Sequence, residues 1–318
     1  MSLSEERRAL LAEVARLYYE KNLTQAQIAQ RLNTSRPQVS RLLTEGRQEG
    51  VVEIIIHYPT DKHVALKQSL LDRFSLKEIK LVASDGLGYA QLVEQLGIVA
   101  ARHLEQHLQD DITLGISWST GVYQVVNALR AAQQRKVTVV QLTGTVGSVN
   151  PLIDGPDLTR WLAQTLGGQY KYLSAPLLVE TASTRQALLN ERSIREPMAL
   201  LEQMDIALVG IGALSPPLSG LLLAGYITET ELRDIIRQGG VGEICSHHYD
   251  LHGHILPLEL HERLIGVGME TLRKTPYVIG VGGGIDKASA VLGALRLGIL
   301  DCLVTDDLVA RAVLKMSE

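Results

Sequence analysis

The apolar positions between residues 23 and 50 recur at the spacing of two short helices. The first run contains Ile28, Ala29 and Leu32, and the second contains Val39, Leu42 and Leu43. Spacings of three and four residues place such side chains on one face of a helix. Residues 33 to 35 between the two runs are Asn-Thr-Ser, which favours a turn. The pattern therefore predicts a helix-turn-helix.

Capping residues mark where both helices begin. Thr24 precedes Gln27 by three residues, and Ser35 precedes Gln38 by the same spacing. In a capping box, the hydroxyl accepts a backbone N–H of the first turn while the side chain three residues on reaches back. Pro37 fits the first turn of the second helix, because the N–H that it lacks would have no partner there. We expect helices that begin at Thr24 and Ser35.

The faces opposite the apolar stripes carry polar and basic side chains. A first turn rich in Arg, Gln and Ser offers donors that read base edges and phosphates in a DNA major groove. A solvated charged helix in an ordinary helical hairpin is the alternative. Two capped helices and a three-residue turn accompany this composition, which favours DNA binding. The predicted DNA contacts are Thr24, Gln25, Ser35, Arg36, Pro37, Gln38, Ser40 and Arg41.

Flanking segments complete a small N-terminal domain. Apolar residues at helical spacing between residues 7 and 20 predict a support helix. Gly50 can end the second helix, and the β-branched run over residues 51 to 58 predicts a short strand or wing. Pro59 and Asp61 mark a linker. We place a DNA-binding domain at residues 1–58.

Strand-like apolar runs alternate with helical stretches in residues 59–318. The predicted strands cover residues 79–83, 112–116, 137–142, 206–209, 277–281 and 302–304, with helices at 89–107 and from 121. This alternation is typical of a mostly parallel sheet wrapped by helices, so we expect a doubly wound, Rossmann-like α/β domain. Ligands of such domains bind beyond the carboxyl ends of the strands.

Charge changes this picture only locally. The 318-residue chain has a net charge of −4, whereas residues 1 to 50 hold eight basic and six acidic side chains. The positive excess therefore lies in the domain that is expected to contact phosphate. One Phe and two Trp argue against stacking on single strands, so the expected partner is double-stranded operator DNA.

Two features bear on the compartment. Cys245 and Cys302 are the two cysteines; they lack metal-ligand spacing and fit a reducing environment. No uninterrupted apolar run approaches the roughly 18 residues that a membrane helix needs. We expect a cytoplasmic protein without a membrane partner.

A loop of small and hydroxyl residues follows the second predicted strand. It contains Ser117, Ser119, Thr120 and Gly121 and leads into a helix. Backbone N–H groups and hydroxyls at a helix N-terminus suit a phosphate. A plain helix cap is the alternative. A hydrolase nucleophile elbow would need Gly where Ser119 stands.

Further candidates follow later strands. Thr143 and Gly144 open a second hydroxyl-rich loop at the neighbouring strand end. The glycine loop at residues 280–284 meets neither the dinucleotide fingerprint nor the P-loop pattern. Lys287 beyond this loop either neutralises an anionic group of a ligand or is a solvated surface lysine.

The segment from residue 239 to 254 is rich in histidine. Its histidines at positions 247, 248, 252 and 254 match no zinc-site pattern, so we predict no metal and no cofactor. Glu243 and Asp250 in the same segment are natural acceptors for sugar hydroxyls near anion-binding loops.

Ordered motifs run along nearly the whole chain. They are LYYEKNLTQAQIAQRL, SRPQVSRLL and EGVVEI, followed by LGISWST, QLTGTVGS, DIALVGIGA, GGVGEICSHHYDLHG, GVGGGIDKASAVLGAL and LVTDDLVARAVL. With these motifs the chain resembles the SorC family of bacterial sugar-responsive transcriptional regulators. The resemblance implies an effector domain similar to sugar-phosphate isomerases of the glucosamine-phosphate deaminase type. It also implies a tetramer built from dimers, and operators whose occupancy phosphorylated sugars control.

The resemblance also implies roles for individual residues. It implies a phosphate loop at residues 117 to 121, with further effector contacts at Thr143, Gly144, Glu243, Asp250 and Lys287. Ser119 stands where family members commonly have Gly, which implies a change in phosphate geometry or ligand size. Thr143 stands where one branch of the family has a lysine that forms a Schiff base, so we expect no covalent capture of the ligand.

The favoured interpretation is a homo-oligomeric regulator of a carbohydrate or polyol operon, controlled by a phosphorylated sugar or polyol. The alternative is a sugar-phosphate isomerase or deaminase that carries a DNA-binding domain, because fold alone does not fix function. No positioned acid/base pair is evident in the sequence. We therefore expect a regulator and not an enzyme.

Overall fold

The computed structural model describes residues 5–21, 23–52, 61–130, 133–147 and 154–318. The chain divides into two compact units, residues 1–60 and 61–318. The domain boundary that we predicted at residue 58, and most of the predicted wing, lie outside the described residues. Each helix in the described part of the chain is too short or too polar to cross a membrane.

The first unit contains three helices around a small apolar core. Helix α1 (Glu5–Ala15) continues into one π-helical turn (Arg16–Glu20) and is followed by α2 (Gln25–Arg31) and α3 (Arg36–Gln48). The predicted apolar stripes form the core, which consists of Leu11, Val14, Leu17, Ile28, Ala29, Val39, Leu42 and Leu43. Leu10, one of the apolar residues in the segment of the predicted support helix, is exposed. The predicted helix-turn-helix is confirmed.

The second unit is built on a seven-stranded sheet in which every neighbouring pair of strands is parallel. Its strands are β1 (Glu78–Val82), β2 (Thr113–Ile116), β3 (Thr138–Gln141), β4 (Gln169–Lys171), β5 (Ile206–Gly210), β9 (Tyr277–Val281) and β10 (Cys302–Asp306). The spatial order is β1-β10-β9-β5-β2-β3-β4. The predicted strand ends differ from these by at most two residues, and β4 was not predicted.

The second unit contains twelve α-helices in its described residues, and those that pack on the sheet cover both of its faces. The twelve are α4 (Asp61–Arg73), α5 (Tyr89–His107), α6 (Thr120–Ala128), α7 (Gly155–Leu166), α8 (Ala182–Asn190), α9 (Arg192–Leu201), α10 (Gly220–Leu223), α11 (Glu229–Arg237), α12 (Glu259–Glu262), α13 (Met269–Lys274), α14 (Ala288–Arg296) and α15 (Asp307–Met316). On β5, Ile206 and Leu208 contribute to one core, whereas Ala207 and Val209 contribute to the other. Burial on both faces explains why these strands are continuous apolar runs. The predicted doubly wound fold is confirmed.

A second, antiparallel sheet was not predicted. It consists of β6 (Gly212–Ala213), β7 (Gly240–Ile244) and β8 (His247–Asp250), in the order β6-β7-β8. Alternating apolar and polar residues are the usual signal of a half-buried strand. The glycine- and histidine-rich sequence of this segment shows no such alternation. The pairing of Gly212 with Glu243 fixes the position of that carboxylate.

Candidate functional site

A cavity of about 210 Å³ lies at the carboxyl ends of the central strands. From β2 the chain proceeds through β3 to β4 on one side, and from β5 it proceeds through β9 to β10 on the other. Between β2 and β5 the strand order therefore reverses, which is the usual ligand position in a doubly wound sheet. Six of the nine predicted effector residues line the cavity: Ser117, Ser119, Thr120, Gly121, Glu243 and Lys287.

The loop after β2 presents unpaired donors to this cavity. Ser119 is the N-cap of α6, and its Oγ accepts the N–H of Val122 at 3.0 Å. The first N–H groups of a helix have no intrahelical partner, so those of Thr120 and Gly121 remain for a ligand. Ser117 is buried, and its Oγ accepts the N–H of Gly210 at 3.1 Å, which joins the ends of β2 and β5.

Glycines in the cavity lining allow neighbouring segments to pack closely around the cavity. A Cβ on Gly210 would overlap the side chain of Ser119, and one on Gly283 would lie 2.7 Å from the Oδ2 of Asp306. At Gly121, by contrast, an added Cβ would meet its nearest neighbour, a Val281 methyl, at an ordinary 3.6 Å. The protein itself thus leaves room at Gly121, and this space opens into the cavity.

Glu243 and Lys287 supply the charged groups of the cavity. Burial raises the pKa of Glu243 to about 7, and the nearby ammonium of Lys287 opposes that rise. Burial lowers the pKa of Lys287, while Glu243 opposes this shift. The Lys287 Nζ donates to the carbonyl of Ile211 at 2.8 Å, so it is held at the cavity and is not the freely solvated lysine of the alternative interpretation.

A histidine network lies behind Glu243. The Nε2 of His248 is 3.9 Å from Glu243 Oε2, and both atoms are buried without a hydrogen-bond partner. Burial lowers the pKa of His248 to about 3 and that of His261, whose ring stacks on it, to about 4. Both imidazoles are therefore neutral near pH 7, and they add no positive charge beside the carboxyl group.

Three predicted effector residues lie away from the cavity lining. Thr143 is buried and pairs with Gly266 in a β-bridge, and a Cβ on Gly144 would overlap the carbonyl of Pro176. Their loop packs against neighbouring backbone, outside the lining of this cavity. Asp250 ends β8, where its Oδ1 accepts the N–H groups of His252 and His254 at 2.9 and 2.8 Å. Its carboxylate thus stabilises a turn.

The cavity also contains residues that were not predicted as contacts. Trp118 lies in the loop itself, where its ring approaches Gly220, and Tyr89 begins α5. Cys245 and Ser246 form the tip of the β7–β8 hairpin with φ angles of 49° and 63°. A two-residue turn with both φ values positive normally favours Asn and Gly, so the sequence carried no turn signal here.

The predicted DNA contacts lie on the outside of the first unit. The Thr24 side chain caps α2 in a complete capping box, and Ser35 Oγ accepts the N–H of Gln38 at 3.3 Å to begin α3. Arg36, Ser40 and Arg41 are exposed on α3. Pro37 in the first turn, exposed Thr24 and Ser35, and half-buried Gln25 and Gln38 complete the set. This surface has the donors that a recognition helix needs.

Comparison with known proteins extends this assignment. Residues 58–315 match the family model described as "Putative sugar-binding domain", and residues 7–60 match a Crp-like helix-turn-helix domain. The sorbitol operon regulator of Klebsiella pneumoniae is 32% identical over 96% of this chain and 98% of its own length. The deoxyribonucleoside regulator of Bacillus subtilis is 31% identical over 98% of this chain and 99% of its own.

A solved structure agrees over the whole length. The full-length sorbitol operon regulator SorC from Klebsiella pneumoniae superposes with a TM-score of 0.79 at 32% identity, covering 98% of this chain and 100% of that chain. Fold, surface and relatives together define a helix-turn-helix transcriptional regulator with a sugar-binding α/β domain, and not an enzyme. The chain belongs to the SorC family of sugar-binding transcriptional regulators.

Proposed function

We propose that this protein binds an operator upstream of a carbohydrate or polyol catabolic operon and that a phosphorylated sugar or polyol in the cavity controls its affinity for that DNA. The observation that carries the effector class is the N-terminus of α6, a helix end whose N–H groups and hydroxyls line the cavity that Lys287 also lines. Such an end suits a phosphate. Glu243 lines the same cavity and suits the hydroxyls of the ligand.

The proposal includes a repressor that acts as a tetramer of two dimers on a pseudo-palindromic operator. Paired helix-turn-helix units bind two half-sites about one helical turn apart, so a dimeric arrangement matches this DNA-binding mode. The effector acts only if it binds the DNA-bound and free forms with different affinities. A repressor released by its effector is the form that we propose.

The test is fluorescence anisotropy of the full chain on duplex DNA from its own upstream region, at fixed salt concentration. Sugar phosphates and polyol phosphates are titrated beside their unphosphorylated counterparts. We expect one phosphorylated compound to release the DNA while its unphosphorylated form does not. DNA binding that no compound in the panel changes would contradict the phosphorylated effector.

The Gly121→Ala variant tests whether the effector binds at the N-terminus of α6. A Cβ there meets nothing closer than 3.6 Å, so the variant should fold normally, but the methyl group would occupy the space beside the N–H groups that we assign to phosphate. We expect the effector midpoint in the anisotropy titration to rise at least about tenfold, which is about 1.4 kcal/mol.

Gly268→Ala is the matched control for that variant. Gly268 is also a glycine at a helix N-terminus, and an added Cβ there meets nothing within 4 Å. Its effector midpoint should stay at the wild-type value. Equal midpoints for Gly121→Ala and wild type would remove the N-terminus of α6 from the effector site.

A further inference from the structure

One cluster of potential metal ligands lies at the sheet edge opposite the cavity. Among the described residues, Glu78, His103 and His107 offer ligand atoms that all lie within 4.8 Å of one another. Glu78 begins β1, and the two histidines lie one turn apart at the C-terminal end of α5. Because β1 is parallel to its neighbours, this amino edge is far from the loops that form the effector cavity.

Hydrogen bonds fix which nitrogen of His103 is free. The Tyr277 hydroxyl donates to Glu78 Oε1 at 3.1 Å, so it accepts from His103 Nε2–H at 2.9 Å. The other nitrogen, Nδ1, then carries a lone pair. His103 is 98% buried, and this Nδ1 has no hydrogen-bond partner while lying 3.9 Å from Glu78 Oε2. A buried acceptor therefore faces a carboxylate oxygen with no hydrogen between them.

The same logic applies to His107. Its Nδ1 lies 2.9 Å from the backbone carbonyl of His103, and only an N–H can make that bond. Its Nε2 therefore carries the lone pair, and it lies 3.6 Å from Glu78 Oε1. A metal-ligating histidine typically donates its other ring N–H to a carbonyl or another fixed acceptor, which is the arrangement of both rings here.

We infer that Glu78, His103 and His107 bind a divalent transition metal ion of the Zn²⁺ class, with water completing the coordination. Imidazole nitrogen and carboxylate oxygen are ligands that Zn²⁺ accepts at about 2.0–2.2 Å, which separates neighbouring ligand atoms of a tetrahedron by roughly 3.4 Å. The separations of 3.6 and 3.9 Å from the carboxylate need only small movements to reach this geometry. Partial exposure of Glu78 and His107 leaves a path for the ion and for water.

A nearby charged side chain competes with the metal ion for one of its proposed ligands. Burial lowers the pKa of His103 to about 4, so its ring is neutral and available as a ligand near pH 7. Lys80 Nζ is 2.8 Å from Glu78 Oε2 and is the main competitor for that carboxylate. The Lys80 side chain is 30% exposed, so it can turn into solvent when a metal replaces it.

The first test measures Zn²⁺ bound by the tag-free full chain in equilibrium dialysis. We expect one Zn²⁺ per chain at this site in the wild type. His107→Gln removes a partly exposed ligand and should weaken this binding at least about tenfold. Lys80→Met removes the competing ammonium and should tighten it, which a merely disrupted fold would not do.

Two further variants separate this site from adventitious binding. Tyr277→Phe removes the hydroxyl that fixes the His103 tautomer, and the loss of such an outer contact costs roughly 10–100-fold in affinity. His254→Gln is the matched control, because His254 is an exposed histidine 3.2 Å from the Asp250 carboxylate and next to His252 in space. Its Zn²⁺ binding should equal that of the wild type.

Thermal unfolding supplies an independent readout. Zn²⁺ bound to the folded chain should raise the unfolding midpoint of the wild type and of His254→Gln, and at the same Zn²⁺ concentration it should raise that of His107→Gln less. Wild-type affinity in His107→Gln, no tightening in Lys80→Met, or loss of binding in His254→Gln would overturn the assignment. None of these variants alters the effector cavity, so the outcome is independent of the proposed function.

Discussion

Glu243 is a carboxyl group whose surroundings oppose its ionisation. It is only 7% exposed on β7, and burial raises its pKa to about 7. The Lys287 charge and the backbone N–H of Gly220 favour its ionised form, and the neutral ring of His248 lies beside it. A carboxyl group that is partly protonated near pH 7 can donate to a ligand hydroxyl as well as accept from one. Glu243 can therefore match either orientation of a sugar or polyol hydroxyl.

Glu243→Gln should change how stability depends on pH. The folded-state pKa of about 7 lies above the ordinary value of 4.5, so the folded protein holds a proton in this window that the unfolded chain has lost. The free energy of unfolding of the wild type should therefore fall, relative to the variant, as pH rises from 4.5 to 7. Each pKa unit corresponds to 1.36 kcal/mol, so the fall approaches about 3 kcal/mol.

Urea unfolding of wild type and Glu243→Gln at a series of pH values measures this difference. Groups that do not interact with Glu243 cancel in the comparison, whereas Lys287, whose pKa the Glu243 carboxylate raises, contributes to the difference. His248 has a pKa of about 3, below the window, and burial keeps the thiol of Cys245 and the hydroxyl of Tyr249 protonated throughout. A difference that does not change between pH 4.5 and 7 would show that Glu243 ionises normally in the fold.

At the scale of the element, helix N-termini perform two tasks in this molecule. The side chain of Thr181 caps α8 by accepting the N–H of Thr184 at 3.1 Å, at an exposed position. Ser119 caps α6 in the same way, but it does so at the cavity. One capping bond therefore stabilises a helix only, whereas the other also fixes donors beside a ligand.

Ser119→Ala and Thr181→Ala separate these tasks. Loss of an N-cap side chain costs roughly 1 kcal/mol, so both variants should lose about that amount of unfolding free energy in urea titrations. Only Ser119→Ala should also raise the effector concentration that half-releases the DNA in the anisotropy assay. The reason is that this substitution removes a hydroxyl that can donate to phosphate. A shift of the same size in Thr181→Ala would mean that helix stability, and not the cavity, controls the response.

Elements with a strong local signal were predictable from the sequence, and those defined by distant contacts were not. Apolar runs such as residues 277–281 gave the parallel strands, and the spacing at Thr24 gave the capping box. The β7–β8 hairpin was missed because its turn uses Cys245 and Ser246 in place of Asn and Gly. The sequence predicted Asp250 as an effector contact, but its carboxylate accepts a backbone N–H of the turn that follows it. The cluster around His103 joins residues from separate elements, so no spacing indicates it.

At the scale of the whole molecule, charge and chemistry divide between the two units. The first 50 residues carry a net positive charge although the chain as a whole is at −4. The exposed arginines of α3 belong to this unit, whereas the cavity is built entirely from residues of the second. Recognition of DNA and recognition of the effector should therefore be separable by mutation.

Arg36→Ala and Gln38→Ala test the DNA-binding surface. Both residues lie in the first turn of α3, and a side chain with a good base contact contributes about 1–3 kcal/mol to discrimination. Specific operator affinity should fall by that amount in each variant, as measured by anisotropy at fixed salt. Arg16→Ala is the control, since Arg16 is exposed outside α2 and α3 and pairs with Glu13 at 2.9 Å. Wild-type affinity in both variants would exclude this face of α3.

Lys287→Met tests whether the effector response can be changed without a change in operator binding. The substitution keeps most of the aliphatic stem but removes the ammonium at the cavity, so the effector midpoint should rise at least about tenfold, or about 1.4 kcal/mol. Operator affinity without effector should stay at the wild-type value, because the residue belongs to the second unit. Lys274→Met, at an exposed lysine of that unit, should change neither quantity. An unchanged midpoint in Lys287→Met would remove this lysine from the effector site, and a loss of operator binding would show that it supports the fold instead.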